Sequence, residues 1–154
     1  MKKKLLLMAI VMIALSSCTN AVKPVPKPLT FPPDTENVRC AMDKIGEKYE
    51  SALKALIDRD CGWSLNDQKD NQYLFGCNDT FNSYVVLTIS KCDDGSYIVS
   101  ELFITTESQE LYEWYKNDTT YTDLYGKIYP MEVWRVQKKF TKSGYMHLFK
   151  ITLK

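Results

Sequence analysis

The sequence has few of the residues that common catalytic motifs require. It contains one histidine, His147, and six glycines scattered one at a time along 154 residues. A single histidine excludes the H-E-x-x-H zinc motif, isolated glycines form no phosphate-binding loop, and no G-x-S-x-G nucleophile elbow is present. We therefore expect no catalytic residue, no metal and no cofactor, and a chain that is not an enzyme. A small carboxylate-based hydrolase is the alternative, because that chemistry needs only Asp or Glu.

Neither a charge excess nor a membrane-spanning apolar run is present. Twenty basic and 19 acidic groups leave a formal net charge of +1, which argues against a nucleic-acid partner recognised by a basic surface. The apolar run Leu5–Leu15 has 11 residues and is too short for a helix that crosses a bilayer. The length and the 45% hydrophobic content predict one globular domain.

The N-terminal apolar run lies between a basic segment and a cysteine. Lysines at positions 2–4 precede it, and it closes on Leu15-Ser16-Ser17-Cys18, a pattern typical of an export signal. This segment resembles the lipobox of bacterial lipoproteins. The resemblance implies that residues 1–17 are a signal peptide and that Cys18 is lipidated, with palmitate among its chains, and becomes the new N-terminus. An ordinary secretory signal, with Cys18 as a free thiol, is the alternative.

The residues after Cys18 indicate where the protein is attached. Thr19 stands where an Asp tends to retain enterobacterial lipoproteins at the inner membrane. The resemblance therefore implies a bacterial cell-envelope protein, lipid-anchored in the outer membrane and facing the periplasm. Residues 18–33 contain five of the six prolines and predict an extended tether, with a motif for a proline-reading partner as the alternative. We expect residues 34–154 to form the single globular domain.

Periodicity in this region predicts helices and strands. Apolar residues recur every three or four positions from Val38 to Ile57, which predicts one amphipathic helix of roughly 24 residues that ends at Cys61-Gly62. Glu107–Lys116 is predicted as a short helix. Strands are predicted at Gln72–Cys77, Ser83–Lys91, Tyr97–Thr105, Met131–Phe140 and Tyr145–Leu153. The expected fold class is α+β, with one long N-terminal helix packed on a mainly antiparallel sheet of about five strands.

The turn Asp93-Asp94-Gly95-Ser96 predicts a tight hairpin. Its register is expected to place Val85, Leu87 and Ile89 opposite Ile104, Leu102 and Ser100. In the returning strand, Glu101 is the most notable candidate carboxylate, and an alternating exposed face explains it more simply than catalysis. His147 lies on an apolar strand face and is expected to be a buried, hydrogen-bonded core residue.

Four cysteines remain after Cys18, and an even number in an exported chain predicts two disulfides. One intact helix would separate Cys40 from Cys61 by about 31 Å, far beyond the roughly 7 Å that a disulfide spans. Packing the helix antiparallel to the first strand favours Cys40 with Cys77 and Cys61 with Cys92. The crossed pairing, Cys40 with Cys92 and Cys61 with Cys77, stays open. A zinc site is disfavoured because no C-x-x-C pair is present.

Aromatic residues are concentrated between the last predicted helix and the last hairpin. Tyrosine and tryptophan recur at binding hot spots because they provide large contact areas at low entropic cost. The stretch therefore predicts a recognition surface for protein, peptidoglycan or glycan, formed by Trp114, Tyr115, Tyr121, Tyr125 and Tyr129. A loop that buries its rings over an open end of the sheet is an equal alternative.

Together these features predict an envelope-anchored, non-catalytic lipoprotein that binds a macromolecular partner. The expected partners are the membrane, through the lipid, and an envelope protein, with no nucleic acid. By size, anchor and disulfides the chain is similar to lipoproteins that inhibit periplasmic hydrolases or confer immunity to toxins. A structural or assembly lipoprotein of an envelope complex is the alternative.

Overall fold

Antiparallel strands make up most of the chain that the structure describes. A computed structural model describes residues 35–58, 61–139 and 144–154. The signal peptide, Cys18 and the proline-rich tether lie outside these ranges and stay predictions. No helix within these ranges is long and apolar enough to cross a membrane.

Three short helices and seven strands form the described fold. The helices are α1 (Glu36–Met42), α2 (Tyr49–Ile57) and α3 (Gln109–Tyr115). The strands are β1 (Trp63–Lys69), β2 (Gln72–Cys77), β3 (Tyr84–Lys91), β4 (Tyr97–Thr106), β5 (Thr120–Thr122), β6 (Ile128–Gln137) and β7 (Tyr145–Thr152). Their order in the sheet is β1-β2-β3-β4-β7-β6-β5, and every neighbouring pair is antiparallel.

The predicted long N-terminal helix is wrong, because the chain turns between α1 and α2. Gly46 adopts φ +76°, a left-handed conformation that favours glycine. The Gly46 N–H donates to the Val99 carbonyl, and the Val99 N–H donates to the Glu47 carbonyl, each at 2.9 Å. A side chain at position 46 would also come within 3.3 Å of the Tyr129 hydroxyl. Contacts with distant strands therefore fix the helix break.

The predicted fold class, α+β with one long helix on about five strands, is wrong for the same reason and because two strands were missed. β1 is an edge strand on which only Trp63 is buried, so it shows no alternation of apolar residues. β5 has only three residues. β2 has its predicted bounds, Gln72–Cys77, and the other predicted strands are found with shifted ends. The described chain is mainly a seven-stranded antiparallel sheet with three short helices.

The predicted β3–β4 register is correct at two positions. Val85 lies opposite Ile104, and Leu87 lies opposite Leu102. Ile89 lies opposite Val99 instead of Ser100, because the register shifts after Thr88 at a β-bulge.

The two faces of the sheet differ in burial. Alternate strand residues point to opposite faces, and we call the face that belongs to the core the inner face. Residues such as Phe75, Leu102 and Phe149 are fully buried there, in one cluster with Val38 and Leu56 from the helices. The other, outer face carries apolar residues that are at least partly exposed and stand outside this cluster, namely Leu74, Val86, Phe103, Trp134 and Leu148.

Both predicted disulfides are wrong. Cys40 is bonded to Cys61, and their Cα atoms lie 5.8 Å apart. The separation of about 31 Å assumed an unbroken helix, and the turn after α1 removes that premise. Cys77 and Cys92 are free cysteines. The Cys77 thiol accepts a hydrogen bond from the Asn37 side chain at 3.2 Å, and burial raises its pKa.

Candidate functional site

The hairpin between β5 and β6 ends in exposed apolar side chains. Leu124 is 65% exposed, Tyr125 83% and Ile128 66%, the three largest values among the exposed large hydrophobic residues of the described chain. Single exposed apolar residues are ordinary on protein surfaces, whereas several together mark an interaction site. We call Leu124, Tyr125 and Ile128 the apolar tip.

Asp123 holds the turn that carries the apolar tip. One oxygen of its carboxylate, Oδ1, accepts hydrogen bonds from the backbone N–H groups of Tyr125 at 2.9 Å and Lys127 at 2.8 Å. The other oxygen, Oδ2, accepts one from the Tyr129 hydroxyl at 3.1 Å. Gly126 supplies φ +79°, which the turn requires. These bonds all join residues of the hairpin, so they hold the turn in one shape around a buried carboxylate.

A second buried carboxylate holds the base of the same hairpin. Asp43, directly after α1, accepts a hydrogen bond from the Tyr121 hydroxyl at 2.5 Å through its Oδ1. The backbone N–H of Leu124 also donates to this carboxylate. Burial raises the pKa of Asp43, and these hydrogen bonds together with the charges of Arg39 and Lys44 partly oppose that rise. Asp43 therefore anchors the hairpin to the end of α1.

The two phenol groups in this network stay protonated near neutral pH. Burial raises the pKa of Tyr121, and the Asp43 carboxylate raises it further. Burial and the hydrogen bond to Asp123 raise the pKa of Tyr129. Each hydroxyl therefore acts as a neutral donor to a carboxylate, which supports a positioning role.

Most of the predicted aromatic surface is buried. Tyr115, Tyr121 and Tyr129 are 7%, 2% and 6% exposed, and Trp114 is partly buried against the core. For these four residues, the alternative that the rings are buried over the sheet is therefore correct. Tyr125 alone is fully displayed, and the binding hypothesis continues with it.

Sequence reasoning missed Leu124 and Ile128. A signal for them was present, since the turn residues Asp123 and Gly126 lie between Tyr121 and Tyr129. Apolar residues inside such a turn are unusual, because turns normally face water.

A shallow groove lies beside Leu124. It is lined by Glu36, Arg39, Cys40, Asp43, Lys44 and Leu124. The groove contains charges of both signs, and the Lys44 ammonium pairs with Glu47 at 3.1 Å. The hydrogen bonds of Asp43 commit its carboxylate to the hairpin, so the groove does not support a pair of carboxylates acting on a substrate.

His147 is fully buried, as expected, but the expected hydrogen bond is not found within the described ranges. Neither ring nitrogen has a partner there, and the ring stacks on Tyr112 with centroids 4.6 Å apart. The Arg135 guanidinium lies 5.4 Å from the Tyr112 ring centroid. Burial, together with the positive charge of Arg135, lowers the pKa of His147. The imidazole is thus a neutral core group at pH 7.

The structure also places the carboxylate and metal candidates of the described chain. Glu101 pairs with Lys150 at 3.1 Å on the outer face, which agrees with the simpler expectation for this residue. Among the described residues, no group of three or more His, Cys, Asp or Glu side chains is placed to hold a metal ion. No protein-family model, no curated protein and no solved structure matches the chain.

Proposed function

We propose that this protein is a non-catalytic lipoprotein of the bacterial envelope, and that its apolar tip docks into a recess on an envelope protein. The observation that carries this proposal is the exposure of Leu124, Tyr125 and Ile128 on one turn, which the buried Asp123 carboxylate holds in place. An inhibitor of a periplasmic hydrolase and an immunity protein against a toxin both fit this mode of binding.

The turn itself does not require apolar side chains. Asp123 and Gly126 satisfy its hydrogen bonds and its backbone conformation. Leu124 and Tyr125 contribute their backbone N–H groups to the carboxylates, which any residue except proline would also supply. Their side chains are therefore available for an intermolecular contact.

The shape and rigidity of the hairpin favour insertion into a concave site. A hairpin tip is narrow, and a tyrosine anchor whose surroundings exclude water is typical of binding hot spots. The hydrogen bonds to Asp43 and Asp123 order the turn before binding, so less conformational entropy is lost in the complex. This arrangement favours a tight complex of defined stoichiometry.

The test is affinity capture with the full chain, purified from membranes in detergent and immobilised through a C-terminal tag. Detergent extracts of the host envelope are passed over the native chain and over the Tyr125→Ala variant, followed by a salt wash and mass spectrometry. Tyr97→Ala is the matched control, because Tyr97 is a 37% exposed tyrosine on β4. We expect one protein retained one to one by the native chain and the control.

The expected loss for Tyr125→Ala is at least about tenfold in retained partner, which is the scale of a hot-spot residue. Thermal unfolding of each variant shows whether its fold is intact. Equal capture by the folded Tyr125→Ala variant, or capture lost equally in Tyr97→Ala, would contradict docking through the tip.

A further inference from the structure

The outer face of the sheet carries a contiguous apolar surface that the tip hypothesis does not use. Cross-strand pairing places Leu74 beside Val86, and Val86 beside Phe103. In the adjacent row, Leu148 on β7 lies beside Trp134 on β6. We call these five residues the outer-face patch.

Two aromatic rings of the outer-face patch contact each other across β7. The centroids of Phe103 and Trp134 are 5.8 Å apart, with an angle of 55° between the ring planes. Phe103 lies on β4 and Trp134 on β6, the two strands that flank β7. The two tilted rings therefore form an aromatic surface on the outer face of the sheet, outside the buried core.

Charged groups are interspersed with this surface. Lys150 lies between Phe103 and Glu132 in the cross-strand row, and its ammonium pairs with Glu101 at 3.1 Å. The side chains of Lys150 and Glu101 are 33% and 34% exposed. Asp67 lies beside Leu74 at the other end of the row. Next to the aromatic rings, the two carboxylates of Glu101 and Glu132 thus flank the single ammonium of Lys150, which gives this part of the patch an acidic excess.

We infer that the outer-face patch binds a neutral polysaccharide. One face of a pyranose ring presents C–H groups that pack on aromatic rings, and the rings of Phe103 and Trp134 are placed to receive them. Its hydroxyl rim donates to carboxylates and accepts from ammonium groups, which Glu101 and Lys150 provide. The acidic excess disfavours polysaccharides that carry carboxylates.

A second copy of this chain fits the outer-face patch less well. Packing two such faces together would remove the ion pair of Lys150 and Glu101 from water. The free energy lost on desolvating an ion pair can exceed the free energy gained from its attraction unless every hydrogen bond is satisfied. Protein interfaces are accordingly depleted of charges at their centres. The hydroxyl groups of a sugar, in contrast, can form hydrogen bonds with Lys150 and Glu101 in place of water.

The test is calorimetric titration of the full chain in detergent with defined oligosaccharides. Cellohexaose and chitohexaose are the neutral probes, and hexagalacturonate is the acidic one. We expect at least one neutral probe to bind and the acidic probe not to bind. Trp134→Leu keeps an apolar side chain without an aromatic ring and should weaken binding about tenfold, whereas Trp134→Tyr should retain it.

Two controls make the result decisive. Tyr97→Ala should leave sugar binding unchanged, and amide chemical shifts of the native chain, which need no substitution, should change at Val86, Phe103 and Trp134. The inference is overturned if no neutral probe binds or if the shifts map elsewhere. It is also overturned if the acidic probe binds equally, or if light scattering shows a dimer that Trp134→Leu dissociates. Because tip residues take no part in this test, its outcome is independent of docking through Tyr125.

Discussion

Two hairpin turns in this protein share their chemistry and differ in what they display. In the β3–β4 turn, Asp94 accepts hydrogen bonds from the Ser96 N–H and hydroxyl at 2.9 and 2.6 Å, and Gly95 adopts φ +84°. In the β5–β6 turn, Asp123 and Gly126 have the same roles. The first turn displays polar residues, whereas the second displays Leu124, Tyr125 and Ile128.

This difference separates the demands of folding from those of binding. The β3–β4 turn shows that Asp and Gly suffice to reverse the chain in this sheet. The exposed apolar residues of the β5–β6 turn are therefore additional to what folding needs. Its carboxylate is also buried and bonded to Tyr129, whereas Asp94 is exposed. The second turn combines a stronger support with an apolar surface, as expected for a docking element.

The largest effect should come from removing the carboxylate of each turn. Asp123→Ala deletes three hydrogen bonds and leaves the buried Tyr129 hydroxyl without its acceptor, so we expect the free energy of unfolding to fall by about 3 kcal/mol. Asp94→Ala removes bonds that water replaces, and we expect a much smaller loss. Equilibrium denaturation in urea measures both variants. Equal losses would contradict the distinction between the two turns.

Substitution of the second carboxylate beneath the tip should have the next largest effect. Asp43→Ala leaves the buried Tyr121 hydroxyl unpaired, and we expect a loss of about 2 kcal/mol in the free energy of unfolding. Asp43→Asn retains an acceptor and removes a buried charge, so it should be considerably more stable than the alanine variant. If the two variants are equally destabilised, the charge and not the hydrogen bond supports the hairpin.

A pH titration of stability distinguishes the tip supports from the His147 cluster. Because burial lowers the pKa of His147, this side chain binds more protons in the unfolded than in the native chain below pH 6.5. The free energy of unfolding should therefore fall as the pH decreases from 6.5, by at most about 1.4 kcal/mol per pH unit from this group. His147→Phe should flatten the profile in that range, whereas Gly126→Ala, which changes the tip turn at a residue without an ionisable group, should not. An unchanged profile in His147→Phe would show that other groups cause the decline.

Alanine at the glycine of either turn should cost a similar amount. Gly126 and Gly95 both have positive φ, and no described residue lies within 4 Å of a Cβ atom added at either position. We therefore expect each substitution to lower the free energy of unfolding by about 1 kcal/mol through backbone strain alone. Urea denaturation of the two variants checks this. A much larger loss at Gly126 would mean that the tip has contacts beyond those seen here.

Local patterns predicted the central strands correctly, because alternating burial shapes their sequences. Gln72–Cys77 and two of the three β3–β4 residue pairs were found as predicted. The third pair failed at a bulge after Thr88, which no local signal marks. β1 was missed because an edge strand with one buried residue has no alternation to detect.

The remaining errors arose from contacts between residues distant in sequence. The spacing of apolar residues from Val38 to Ile57 continues through Gly46, and only its bonds to Val99 show that the helix breaks there. The disulfide predictions inherited that error. Likewise, the buried Tyr121 hydroxyl donates its hydrogen bond to Asp43, which is 78 residues away. Because such a partner is not visible in the local sequence, buried and exposed tyrosines are hard to distinguish from sequence.

Photo-crosslinking from position 125 in intact cells tests the central claim most directly. Tyr125 is replaced by a photoreactive phenylalanine analogue, Tyr97 is replaced in the same way as the control, and irradiated envelopes are analysed by immunoblotting. Docking through the tip predicts one discrete adduct from position 125 that position 97 does not give. No adduct from position 125, or the same adducts from both positions, would contradict it.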